Sequence, residues 1–161
     1  MAIRNLPISD LAHIIRPCGY FNVKALKLKA LVDWFSAYGD DFDNLSAIDT
    51  PELRQQLLGV LGIGPETADS ILLYAIGRSV FVIDAYTRRI ISRFGFVIKK
   101  ESYDGYQRLF RANLAADRRL FNEYHALLVK LAKDVCRKQP LCPKCCLNDL
   151  CRSSREGMEK A

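Results

Sequence analysis

The segment LGIGPETADSILLYA, residues 61–75, is the most informative part of this chain, because a very short turn here joins two predicted helices. Gly62 and Gly64 permit positive φ angles and allow a foreign backbone to come close. Pro65 suits the first position of the second helix. We expect the amides after the glycines to point outward and to form an anion site suited to a phosphate. The alternative is that the glycines serve only the geometry of a tight turn.

Helical periodicity dominates on both sides of this segment. In chain order, we predict helices at Lys24–Tyr38, Thr50–Leu58, from Pro65 onward, and at Thr87–Phe94, Tyr103–Asn113 and Leu120–Cys136. Thr50 is the predicted N-cap of the second helix, which has a proline and an acid in its first turn. The apolar run 80–83 is too isolated to build a sheet, so we predict buried chain that enters a helix. The predicted fold class is all-α.

Five cysteines lie close together near the end of the chain, in CRKQPLCPKCCLNDLC, residues 136–151, and four of them are candidate ligands: Cys136, Cys142, Cys145 and Cys151. Thiolates this close can hold one [4Fe–4S] cluster. Structural zinc is the alternative, but zinc sites usually pair two CxxC-like knuckles, and only Cys142–Cys145 has that spacing. The spacing therefore favours a cluster over zinc, and both over disulfides. Cys146 is adjacent to Cys145 and could replace it as a ligand.

The composition indicates a globular protein with a polyanionic partner. Half of the 161 residues are apolar, and no apolar run is long enough to span a bilayer. Residues 1–80 carry seven Lys/Arg and nine Asp/Glu, whereas residues 81–161 carry seventeen and nine. The resulting charges of −2 and +8 suit a polyanionic partner such as DNA or RNA, and they suit a solvated basic surface equally well. The N-terminus lacks the apolar region of a secretory signal, and reduced cysteines suit a cytoplasmic location.

Three ordered motifs resemble the helix-hairpin-helix DNA glycosylases of the endonuclease III superfamily: the segment 61–75, FVIDAYTRRI at 81–90, and the terminal cysteines. The resemblance extends over about residues 8–151. It implies an incomplete helical barrel at 1–79 with the hairpin at 58–76, a helical lobe at 80–135, a [4Fe–4S] loop at 136–151 and a flexible tail at 152–161. It also implies a nucleoid-associated monomer that acts on double-stranded DNA containing a damaged base.

The resemblance assigns roles to individual residues. Asp84 occupies the position of the catalytic aspartate, where a carboxylate can stabilise an oxocarbenium ion or deprotonate a water. The family's cluster loop is Cys-x6-Cys-x2-Cys-x5-Cys; taking Cys145 as third ligand gives x5, x2 and x5 here and leaves Cys146 spare. The implied cluster ligands are Cys136, Cys142, Cys145 and Cys151. The implied DNA contacts are Leu61, Gly62, Ile63, Gly64, Glu66, Thr67, Lys24 and Arg88.

The hairpin also distinguishes between branches of the family. Bifunctional members carry a lysine one residue before the Thr-Ala pair, and its amine attacks the sugar. Here that position is Glu66, and a carboxylate cannot form an imine. IRPCGYFNVKALKLKALV, residues 15–32, and residues 62–75 resemble the 3-methyladenine DNA glycosylase III branch, whose members are monofunctional and remove alkylated purines.

The implied function is therefore base excision repair by a monofunctional glycosylase that hydrolyses the N-glycosidic bond of damaged, alkylated bases. One alternative is an endonuclease III-like bifunctional enzyme with AP lyase activity. The other is an inactive DNA-binding module, because family members have further N-terminal helices before the segment that matches Ile8 onward. On this expectation the chain is a truncated product, a partial sequence or one with a misassigned start.

Overall fold

The computed structural model describes residues 2–96, 98 and 102–158, and this part of the chain contains α-helices and short helical turns but no strand. The all-α fold class is confirmed. The chain divides into two compact units, Met1–Ile76 and Gly77–Ala161, close to the boundary predicted after residue 79. Among the described helices, none combines the length and the apolar character needed to cross a membrane.

The described part of the first unit contains six α-helices, and the hairpin lies among them. They are α1 (Ala2–Asn5), α2 (Ile8–Ile14), α3 (Phe21–Ser36), α4 (Phe42–Ser46), α5 (Thr50–Leu58) and α6 (Pro65–Ser70). Residues Ile71–Ile76 continue α6 as a π-helix. Buried Leu11 and Ala12 on α2 pack with Ala25 on α3, and further buried leucines lie on α5 and in the π-helix.

The start of α5 corrects one prediction. The helix has the predicted limits, but its N-cap is Asp49 rather than Thr50. The Asp49 side chain accepts a hydrogen bond of 2.9 Å from the Glu52 amide, and Pro51 occupies the first turn. Thr50 was the wrong choice because a stronger capping side chain precedes it by one residue.

The second unit is built around the buried run that precedes α7. Its helices are α7 (Ala85–Phe94), α8 (Tyr103–Asn113), α9 (Arg118–Asp134) and α10 (Arg152–Met158). Phe81 is fully buried; its ring stacks on Phe110 at 3.9 Å and meets Phe121 edge-on at 5.2 Å. The Gln107 side chain donates to the Phe81 carbonyl, so the extended run is tied to α8. The prediction of buried chain entering a helix is confirmed.

The segment after Cys151, for which a flexible tail is predicted at 152–161, contains a helix. Residues Arg152–Met158 form α10, and Ser154 on this helix is buried and donates to the side chain of Asn148. Within the helix, Arg152 donates a hydrogen bond to Glu156 four residues later. The flexible tail at 152–161 stays a prediction, and residues 159–161 lie outside the described part of the chain.

Candidate functional site

The turn between α5 and α6 has the short form that was predicted, but its two glycines differ. Gly62 has φ +82°, whereas Gly64 has φ −95° and ψ 177°, so positive φ is confirmed at Gly62 and wrong at Gly64. No side-chain hydrogen bond caps α6, and its first-turn amides are available to an anion. Leu61, Glu66 and Thr67 are exposed on this turn, with Ile63 half-buried.

A partly buried ion pair joins the two helices of the hairpin. Arg54 on α5 donates from Nε to Asp69 Oδ1 at 2.6 Å and from a terminal nitrogen to Oδ2 at 3.2 Å. The Asp69 side chain has no exposed surface. A planar guanidinium with two parallel hydrogen bonds fixes orientation as well as distance. The sequence did not predict this pair, which fixes the two helices on either side of the turn relative to each other.

Two cations predicted to contact phosphates have contacts within their own units. The Lys24 ammonium donates to the carbonyl of Cys18. The Arg88 guanidinium lies 5.8 Å from the ring centre of Tyr103 and 6.0 Å from that of Tyr106. Both side chains therefore contribute to local packing, and their contacts with DNA stay predictions.

Asp84 lies at the end of the buried run and is the N-cap of α7. Its Oδ1 accepts a 2.7 Å hydrogen bond from the amide of Thr87. Asp117 caps α9 in the same way, by accepting a hydrogen bond from the Leu120 amide. The N-cap position by itself therefore does not indicate a catalytic role. What sets Asp84 apart is its second oxygen, because Oδ2 lies 3.6 Å from Nε2 of His125.

The surroundings of Asp84 keep its carboxyl ionised. Burial by itself raises the pKa of Asp84, but the His125 imidazole and the Thr87 amide outweigh burial and lower the pKa from 3.8 to about 2. Both side chains of the Asp84–His125 pair are largely buried, 13% and 12% exposed. No local spacing in the sequence connects His125 to Asp84, so the structure is what brings the two side chains together.

The four predicted cluster ligands line one cavity of about 70 Å³ in the second unit. Cys146 lies instead on a separate groove beside Leu147. Arg93 on α7 donates to Cys136 Sγ at 3.1 Å and to the carbonyls of Arg137 and Lys138, so the loop is anchored to the helix that Asp84 caps.

The thiols in this loop lie close enough to influence one another. Burial raises the pKa of the Cys145 thiol, the Leu147 amide lowers it, and the neighbouring thiols of Cys146, Cys136 and Cys151 raise it further. Among the residues that the structure describes, no three His, Cys, Asp or Glu side chains are gathered tightly enough to hold a single metal ion. The residue types and their placement around one cavity fit a four-thiolate cluster, which is larger than one ion.

The family of this chain follows from its sequence. Residues 1–115 match the model of the HhH-GPD superfamily of base excision DNA repair proteins. The match covers well over half of the chain, and the chain belongs to this family.

Individual relatives agree with this assignment. The chain is 41% identical over 153 residues to the "Putative DNA repair glycosylase MJ1434" of Methanocaldococcus jannaschii, covering 94% of this chain and 70% of that protein. It is 31% identical over 150 residues to endonuclease III of Sulfolobus acidocaldarius, covering 93% of this chain and 65% of that protein. The chain thus spans about two thirds of the length of these relatives.

Solved structures support the fold. A non-covalent endonuclease III–DNA complex superposes with a TM-score of 0.78 at 22% identity, covering 98% of this chain and 70% of that one. The H. pylori 3-methyladenine DNA glycosylase (MagIII) bound to 1,N6-ethenoadenine gives a TM-score of 0.67 at 28% identity, covering 81% of this chain and 65% of that one. The helix-hairpin-helix glycosylase fold is confirmed.

Proposed function

We propose that this protein is a monofunctional DNA glycosylase, which hydrolyses the N-glycosidic bond of alkylated bases in duplex DNA. The observation that carries the proposal is the largely buried, ionised carboxylate of Asp84, whose Oδ2 lies beside His125. Family membership supports DNA repair as the setting, and the likeness to MagIII supports an alkylated base as the substrate.

In the proposed reaction, cleavage of the glycosidic bond gives the sugar oxocarbenium character. The charge of Asp84 stabilises this cation, and the same carboxylate accepts a proton from the attacking water. The Thr87 amide holds one oxygen in place and His125 keeps the other oriented. An alkylated purine is already cationic, so its departure needs little help from an acid.

In the proposed function, the hairpin binds the DNA backbone. Its outer turn is exposed, its first-turn amides are available to a phosphate, and the Arg54–Asp69 pair keeps the supporting helices in register. At Glu66 the turn presents a carboxylate in place of the amine that a Schiff-base mechanism requires. This substitution supports hydrolysis without strand cleavage.

The test uses duplexes that carry one alkylated base or 1,N6-ethenoadenine, the base in the MagIII complex. We expect release of the free base, an abasic strand that stays intact, and no covalent adduct after borohydride treatment. A trapped adduct would favour the bifunctional alternative with AP lyase activity. Salt-sensitive binding without release of any base would favour the DNA-binding module.

We also propose that Cys136, Cys142, Cys145 and Cys151 hold a [4Fe–4S] cluster, since they line one cavity and Cys146 does not. When bound, the cluster would supply four iron–thiolate bonds that tie the loop together. Protein purified without oxygen should contain iron and sulfide, and serine at any of the four positions should remove them. Cys146→Ser is the matched control and should keep the cluster; zinc without sulfide would refute the proposal.

A further inference from the structure

The three lysines of α3 have different surroundings. The Lys24 ammonium donates to the carbonyl of Cys18, and the Lys29 ammonium donates to the carbonyl of Arg4. The ammonium groups of Lys24 and Lys29 are therefore both hydrogen-bonded to carbonyl oxygens of the first unit. Lys27 is exposed, and within the described part of the chain its ammonium has no such acceptor.

The stem of Lys27 lies directly on the hairpin turn. A Cβ atom placed on Gly62 would fall 2.4 Å from both Cγ and Cδ of Lys27 and 2.6 Å from its Cε. Gly62 therefore provides the space in which this side chain lies, in addition to its φ of +82°. Lysine commonly packs its methylene stem on a surface while the charged end remains in water.

We propose that Lys27 is a DNA-binding residue of the hairpin, with its ammonium paired to a backbone phosphate of the duplex. The inference rests on the proposed function, because it assigns a partner to the same hairpin. Two features support it: the stem is placed on the turn by Gly62, and the ammonium is uncommitted in the described structure. A side chain held near its bound position loses less conformational entropy on binding than a free one.

The test measures the affinity of the full chain for an undamaged duplex by fluorescence anisotropy as the salt concentration rises. Lys27→Met keeps an apolar stem of similar length over Gly62 and removes only the charge. Loss of one phosphate contact should reduce the slope of log K against log salt by about 0.9. Lys27→Arg keeps the charge and should restore the slope.

The matched control is Lys29→Met, which removes the same charge from the same helix but from a side chain bound to the Arg4 carbonyl. Its slope should equal that of the wild type. An unchanged slope in Lys27→Met, or an equal reduction in Lys29→Met, would overturn the assignment to Lys27. Absence of salt-dependent binding in the wild-type chain would instead refute the DNA-binding part of the proposed function.

Discussion

Two aspartates, one in each unit, are held in different ways. Asp69 in the hairpin has no exposed side-chain surface, and both of its oxygens accept hydrogen bonds from Arg54. Asp84 is 13% exposed, caps α7 through one oxygen and has His125 beside the other. A carboxylate bound on both oxygens by a permanent cation serves the fold, whereas a carboxylate with an accessible side can act on a substrate.

The largest expected effect tests the structural half of this comparison. Arg54→Met would leave the buried Asp69 carboxylate without its bidentate cation and should lower the free energy of unfolding by about 3–5 kcal/mol. Chemical denaturation would measure the loss. Arg4→Met is the control in the same unit, because its pair with Asp40 is partly exposed and should contribute less. Equal losses in the two variants would contradict a special role for the Arg54–Asp69 pair.

The catalytic half of the comparison is tested by Asp84→Asn. Removing the negative charge should lower the rate of base release by about 10²–10³-fold, the usual effect of losing one electrostatic contact to a transition state. Asparagine is also a good N-cap, so DNA binding should change little and the free energy of unfolding should fall by no more than about 1–2 kcal/mol. Single-turnover kinetics would measure the rate.

Asp117→Asn provides the matched control, since Asp117 caps α9 through the same kind of hydrogen bond. Its rate of base release should equal that of the wild type. If Asp84→Asn kept full activity, or if both variants lost it equally, Asp84 would be only a helix cap.

A smaller effect concerns the pH dependence of stability. The folded-state pKa of Asp84, about 2, lies below the ordinary value of 3.8, so its stabilisation is present above pH 3.8 and is lost as the pH falls toward 2. We expect this contribution to be on the order of 1–2 kcal/mol. Replacing His125 by Leu should raise the pKa of Asp84, since burial would then be opposed chiefly by the Thr87 amide.

Carbon-13 NMR of the Asp84 carboxyl carbon would follow this titration directly. The difference in the free energy of unfolding between the wild type and Asp84→Asn should disappear as the pH falls from 3.8 toward 2. An unchanged Asp84 titration in His125→Leu would show that the 3.6 Å contact has no electrostatic effect.

The smallest expected effects concern the two glycines of the hairpin turn, for which alanine substitutions should separate a role in stability from a role in DNA binding. Gly62→Ala should cost about 1–2 kcal/mol of stability, because alanine is strained at φ +82° and the flexible Lys27 stem must move away from the added Cβ. Gly64→Ala should leave stability nearly unchanged, since φ is ordinary there and a Cβ would meet no atom within 4 Å. Its added methyl group should nevertheless weaken DNA binding several-fold if the backbone approaches this point closely. Full affinity in Gly64→Ala would move the DNA contact elsewhere.

The sequence patterns predicted most of the secondary structure correctly. The limits of α5 and α8 and the start of α6 agree with the structure, and the run at 80–83 is buried as expected. The errors lie in the turns, where two local signals compete. Asp49 takes the cap expected at Thr50, and Gly64 adopts an ordinary φ although glycine permits a positive one.

The sequence by itself determined the all-α class, the hairpin and the family, because caps, prolines, glycines and apolar periodicity act over a few neighbouring residues. It also placed Asp84 after the hairpin and four cysteines near the end of the chain. Only the tertiary structure brought His125 to Asp84, Arg54 to Asp69 and Lys27 to Gly62. The residues of each pair lie on different elements of the fold. They come into contact only because of the way the helices pack, and a local sequence pattern does not predict that packing.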